Sequence, residues 1–254
     1  MKEHSDQEEL LNYLFDGQPQ LLAPPMTAWL SSSRRFTTFV ATYRDKIRKK
    51  LYTAHDHESL LDLQLELETA YLMLQERPLS VRYEPQQSEQ ARAPDFAVTY
   101  TTSLTFLVEV TRLRADPQSS LVESEDSNSI ASLGARRLTD AICSKLGQLQ
   151  PQRSNVLIVG VEALRLTQHD LRDTMLRLQQ RAERNDETLL QRHRFRDRAD
   201  FFRHYQRLSE ILVRRSRLQS DEPTVVWVNP QAKHPLPSKV RTALYHSQTI
   251  QVPS

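Results

Sequence analysis

Glycine is scarce in this chain of 254 residues: only Gly17, Gly134, Gly147 and Gly160 occur. Phosphate-cradling loops of the G-x-G-x-x-G and G-x-x-x-x-G-K-[ST] kinds need clustered glycines, so both common nucleotide-binding motifs are excluded. No G-x-S-x-G elbow and no H-E-x-x-H helix occurs either, which removes two familiar hydrolase motifs. The single cysteine, Cys143, excludes an intrachain disulfide framework and a Cys-rich zinc site. Long apolar runs are also missing. The longest, residues 156–161, is far too short to span a bilayer. The opening MKEHSDQEELLNYLF lacks the apolar stretch of a signal peptide, so a cytoplasmic protein with no membrane partner is expected.

What is present is charge. Lysine and arginine number 34 against 32 acids, and the net +2 hides a local imbalance. Between Arg165 and Arg217 lie 14 arginines, no lysine and 8 acidic residues. The guanidinium fork matches phosphate oxygens, so this stretch suits contact with a nucleic-acid backbone; a solvated helix face is the plainer alternative.

Residues 1–54 read as a helical extension. Phe36, Phe39, Val40, Tyr43, Ile47 and Leu51 recur at helical spacing, with Arg44, Lys46, Arg48, Lys49 and Lys50 mostly off that stripe. The pattern predicts a packing helix with a solvated basic face, or else a face that touches DNA. His55-Asp56-His57-Glu58 has metal-ligand residue types, but Asp56 is better read as the cap of the next helix. That helix, residues 58–75, is leucine-rich on more than one side and contains Glu66 and Glu68, which must find partners or exposure.

Strands are predicted over 80–84, 95–100 and 104–113, then an acidic, serine-rich loop over 115–129 that can serve as a lid. A helix over 132–150 leads to a buried strand at 156–161. Arg-rich helices are expected through 167–217, a last strand at 224–228 and a short helix at 238–245. Strands separated by helices imply an α/β fold, a mixed central sheet flanked by helices, with the main domain over 55–254 and its core at 58–161.

If the middle strands form a hairpin turning through Thr101-Thr102-Ser103, Tyr100 pairs with Leu104, and counting outward sets Asp95 opposite Glu109. Facing carboxylates repel, so a shared proton, a nearby Lys or Arg, or a divalent cation must compensate. A register slip of one residue would instead turn one acid to solvent.

The run Ala93-Pro94-Asp95-Phe96, followed by Phe106-Leu107-Val108-Glu109-Val110-Thr111, resembles the PD-(D/E)xK superfamily of restriction-endonuclease-like nucleases. The order of elements over 58–161 fits as well: an acid-bearing helix, three strands, a helix and a fourth strand. The resemblance implies that Asp95 and Glu109 are metal ligands, joined by the carbonyl of Val110. Glu66 would be the acid of the preceding helix, with Glu68 as alternative. One departure stands out: Thr111 occupies the place of the family's catalytic lysine, and threonine carries no positive charge. Lys145 can compensate from the following helix, where Leu138, Ile142, Lys145 and Leu149 make one stripe; a snorkelling lysine at the core edge is the alternative. Thr111 and Gln148 are candidate substrate contacts, and Arg112 should point away from the site.

The implied function is Mg²⁺- or Mn²⁺-dependent hydrolysis of a phosphodiester in DNA, with Glu66, Asp95, Glu109 and Lys145 as the catalytic set. Two rivals remain. A nuclease fold that has lost catalysis would serve as a binding or assembly module. A helical interaction protein with an accidental motif match would leave Asp95 and Glu109 far apart or fully exposed.

Overall fold

A computed structural model describes residues 2–16, 21–85, 93–114, 127–161, 166–215 and 224–248. Helices α1 (Lys2–Phe15), α2 (Ala23–Ser32), α3 (Arg34–Thr53) and α4 (His57–Gln75) lead into strands β1 (Leu79–Tyr83), β2 (Phe96–Tyr100) and β3 (Leu104–Arg112). Then come α5 (Ser127–Leu146), β4 (Asn155–Val161), α6 (Gln168–Glu183), α7 (Glu187–Arg192), α8 (Arg198–Tyr205), β5 (Leu208–Arg215), β6 (Val225–Val228) and α9 (Ser238–Ser247). The Asp56 carboxylate accepts the Ser59 N–H at 2.7 Å and caps α4, the role read for it from sequence.

The six strands form one mixed sheet in the order β1-β2-β3-β4-β5-β6. The first three are antiparallel, β3, β4 and β5 are parallel, and β6 returns antiparallel. The parallel pairs follow from the helical crossovers, α5 between β3 and β4 and α6–α8 between β4 and β5. Both faces of the sheet are covered, and β4, at the parallel centre, is buried at all its positions.

Side-chain alternation splits the interior into two cores. Val108, Val110, Val156, Ile158 and Leu212 pack with α1–α4 and α9 on one face. Leu157, Val159, Ile211 and Val213 pack with α5–α8 on the other. Trp29, Phe36 and Tyr71 join α2, α3 and α4 by ring contacts, and Arg35 fastens α3 to the end of α4 through Nη1 donating to the carbonyls of Leu74 and Glu76, both at 2.7 Å. Among the described residues no helix is long and apolar enough to cross a membrane.

Two expectations are corrected. The Arg-rich region is not helical throughout, because Leu208–Arg215 is strand β5. Its apolar centre, Ile211-Leu212-Val213, is short and flanked by charges that look solvent-facing in sequence. Those charges are buried in pairs instead. Glu210 receives Arg241 Nε at 2.5 Å and the Tyr245 hydroxyl at 2.6 Å, and Arg214 Nη1 donates to Glu68 Oε1 at 2.6 Å. The loop expected over 115–129 is the second: residues 127–129 already belong to α5, and 115–126 lie outside the described residues.

The Glu68–Arg214 pair ties α4 to β5, with Glu68 0% exposed. Arg214→Met should cost about 3–5 kcal/mol, because it strands a sealed carboxylate, whereas Glu68→Leu with Arg214→Met should come back close to wild type. Guanidinium unfolding of the two variants beside wild type checks this; equal losses in the single and double variants would contradict it.

Candidate active site

The hairpin register sets out the site. Tyr100 pairs with Leu104 and the ladder runs to Phe96↔Val108, as counted from the turn. It stops one residue short of the Asp95/Glu109 row. There Asp95 turns its carboxylate onto the neighbouring strand, and Oδ2 accepts the Val110 N–H at 2.7 Å. On the other side of Asp95, β1 pairs through Tyr83↔Phe96, and the next residue, Glu84, donates its N–H to the Asp95 carbonyl at 2.9 Å. Glu84, Asp95 and Glu109 therefore share one row across three adjacent chains, at the end of the sheet away from the 101–103 turn.

Two lysines compensate this row. Lys145, in the last turn of α5, brings Nζ to 3.0 Å from Glu109 Oε2 and 3.9 Å from Asp95 Oδ2. Glu109 is buried and Lys145 is only 12% exposed, so the contact is shielded from solvent. The ammonium supplies one of the compensations open to facing carboxylates. Lys50, from α3, lies 2.7 and 3.0 Å from the two Glu66 oxygens and 2.7 Å from Glu84 Oε1, with its ammonium 4.8 Å from the Tyr83 ring centre.

Burial pushes the Glu66 carboxyl up to about 7, and the negative charge of Asp95 adds to the push, against the attraction of Lys50. Burial also opposes charge on Lys50, but Glu66 and Glu84 outweigh it and raise its pKa. The Tyr83 hydroxyl is raised by burial and by Glu66, Glu84 and Asp95; it is a buried polar atom with no hydrogen-bond partner among the described residues.

The other candidates divide. Asp95, Glu109 and Lys145 come together, and Glu66 lies within the electrostatic reach of Asp95. Glu68 does not join them, since it is committed to Arg214. Thr111 is half-buried on the Glu109 face of β3, and Gln148 lies one turn beyond Lys145, half-buried, with its amide oxygen sealed. Arg112 takes the opposite face and binds Glu58 and Asp62 of α4, as alternation requires. Sequence reasoning missed Lys50, Tyr83 and Glu84. The helical pattern assigns Lys50 to the solvated basic face, although it adjoins Leu51 on the packing stripe. Glu84 closes a strand whose register against β2 no short turn announces.

Can this set hold a cation? Among the described residues no three carboxylate, His or Cys side chains converge as a metal cage. Magnesium, however, is commonly held by one or two carboxylates with water and substrate phosphate completing the shell. Asp95 and Glu109 supply two hard oxygen donors. The N–H and C=O of one strand residue point the same way, so the Val110 carbonyl faces past the end of β2 beside Asp95. With Glu66 and Glu84, four carboxylates face two ammonium groups. The donor chemistry fits a small divalent cation on Asp95, Glu109 and the Val110 carbonyl. Beside the row, a cavity of about 400 Å³ runs along the same face of β1–β3, with Ala97 and Leu107 in its floor and Lys46, Arg82 and Arg153 around it.

A carboxyl whose folded pKa is raised keeps a proton that the unfolded chain has released. The stability contributed by Glu66 is thus complete below about pH 4.5 and is lost as the pH rises through about 7, and Glu68, also pushed up to about 7, acts in the same window. Urea midpoints should fall from pH 4.5 to 7, and Glu66→Gln should remove roughly half of that slope; identical slopes in wild type and variant would contradict the placement of Glu66. No protein-family model, curated protein or solved structure matches this chain.

Proposed function

We propose that this chain is a metal-dependent phosphodiesterase acting on DNA, built on a restriction-endonuclease-like sheet in which Lys145 replaces the lysine absent at Thr111. The observation that carries the reading is the contact of Lys145 Nζ with Glu109, at 3.0 Å, and Asp95, at 3.9 Å. A lysine reaching the same two carboxylates from a helix supplies the charge that the strand position lacks.

Asp95, Glu109 and the Val110 carbonyl would hold Mg²⁺ or Mn²⁺, which when bound supplies a water of lowered pKa and neutralises phosphate charge. The Val110 N–H fixes the Asp95 carboxylate in one orientation. Lys145 directs its N–H groups at the attacking oxygen and at the charge that grows on the phosphate oxygens. Glu66, raised to about 7 and held by Lys50, can take up a proton near neutral pH. Lys46, Arg82 and Arg153, around the adjoining cavity, are set to contact backbone phosphates, a sequence-independent and salt-sensitive attraction. Thr111 and Gln148 remain candidate substrate contacts.

A second reading rests on the same ion pairs. Lys145 and Lys50 already neutralise part of the acid row, as expected of a nuclease fold kept as a binding module. Cleavage separates the two. Wild type should nick plasmid and cut single-stranded DNA with Mg²⁺ or Mn²⁺, stop with EDTA, and lose at least about 100-fold in rate in both Asp95→Ala and Lys145→Ala. Loss in Asp95→Ala alone would keep the nuclease and discard the role of Lys145. DNA binding without cleavage by wild type would favour the module.

A further inference from the structure

Helices α5, α6 and α7 enclose a second cleft, of about 360 Å³. Arg136 and Asp140 enter it from α5, Arg177 and Arg181 from α6, Arg192 from α7, and His193 from just beyond. Nine residues separate Arg136 from Lys145, about two and a half helical turns, so the two side chains leave opposite sides of α5. The cleft is therefore apart from the carboxylate row.

Asp140 is the one carboxylate among the lining residues. It is shared, binding Arg192 through one oxygen while His193 Nε2 lies 3.1 Å from the other. Arg181 pairs with Asp186 at 2.7 Å, outside the lining. Among the described residues Arg136 and Arg177 pair with no carboxylate. The floor is buried Thr174, Leu178 and Leu189, with the exposed arginines of the three helices standing around it. Burial lowers the His193 pKa, opposed by Asp140 and reinforced by Arg192 and Arg181.

We propose that this cleft binds a phosphate group, as monoester or diester, independently of the carboxylate site. Guanidinium forks pair with phosphate oxygens through two parallel hydrogen bonds, and several forks converging from three packed helices form a preorganised anion seat. Its volume is at the small end for ligand pockets, enough for a phosphate and the group attached to it. The phosphate comes either from a free nucleotide or inorganic phosphate, or from a nucleic-acid strand lying over the Arg-rich helices.

The test is calorimetry on the full chain with inorganic phosphate, a mononucleotide and a short single-stranded oligodeoxynucleotide. The Arg136→Gln/Arg177→Gln variant, altered only at exposed positions, should bind at least about tenfold more weakly. Asp140→Asn, which removes the internal competitor, should bind about tenfold more tightly, a gain that damage to packing would not produce. Without divalent cation, Asp95→Ala should bind inorganic phosphate as wild type does, so that result stands whether or not the carboxylate row is a nuclease site. Oligonucleotide held much more tightly than phosphate would assign the strand as the source; equal affinity would assign the free anion. Binding of none of the three probes, or affinities unchanged in both the arginine pair and Asp140→Asn, would overturn the proposal.

Discussion

Like charges opposed on neighbouring strands repel, and the Asp95/Glu109 row is tolerated because a lysine from another layer reaches it. That contact makes demands well beyond itself. Lys145 reaches Glu109 only if the last turn of α5 is held down on β3, and Leu138, Ile142 and Leu146 hold it there through the second core. The exit from α5 is fixed as well. Buried Asn155 accepts the Gln150 N–H at 3.1 Å and donates to the carbonyls of Gln150, Arg153 and Arg207 at 2.9, 2.9 and 3.0 Å, so the turn between α5 and β4 has one conformation. The parallel centre of the sheet and the position of the ammonium are thus one construction.

Helix α4 carries a comparable burden on the other face. It presents Glu58 and Asp62 to Arg112 on β3, Glu66 to Lys50 on α3 and Glu68 to Arg214 on β5. The Glu68–Arg214 pair is buried on both sides and the others in part, and such pairs add little net stability, because desolvation offsets the attraction. Breaking one is costly, however, so together they hold α4 in one register against the sheet. That register brings Glu66 into the field of Asp95 while Glu68, two residues on, serves the frame.

Much of this was legible in the sequence. Period-2 patterning and the Thr101-Thr102-Ser103 turn gave the hairpin register to the residue, and Asp56 announced the start of α4. The stripe of Leu138, Ile142, Lys145 and Leu149 put Lys145 on the sheet side of its helix, where it meets Glu109. Less legible were features that depend on distant segments. β5 was hidden because its charged ends are satisfied by α4 and α9, partners far away in the chain. Lys50 and Glu84 were hidden for the same reason, since only the packing of α3 against α4 and β1 brings them together.

The central claim is that Asp95 and Glu109 form a seat for a divalent cation beside Lys145. Its most direct test is Mn²⁺ binding followed by electron paramagnetic resonance in wild type, Asp95→Asn and Glu109→Gln, with Mg²⁺ as competitor. The account predicts Mn²⁺ bound by wild type, displaced by Mg²⁺ and lost in both variants. Mn²⁺ that stays free in wild type, or binds equally well without either carboxylate, would contradict it.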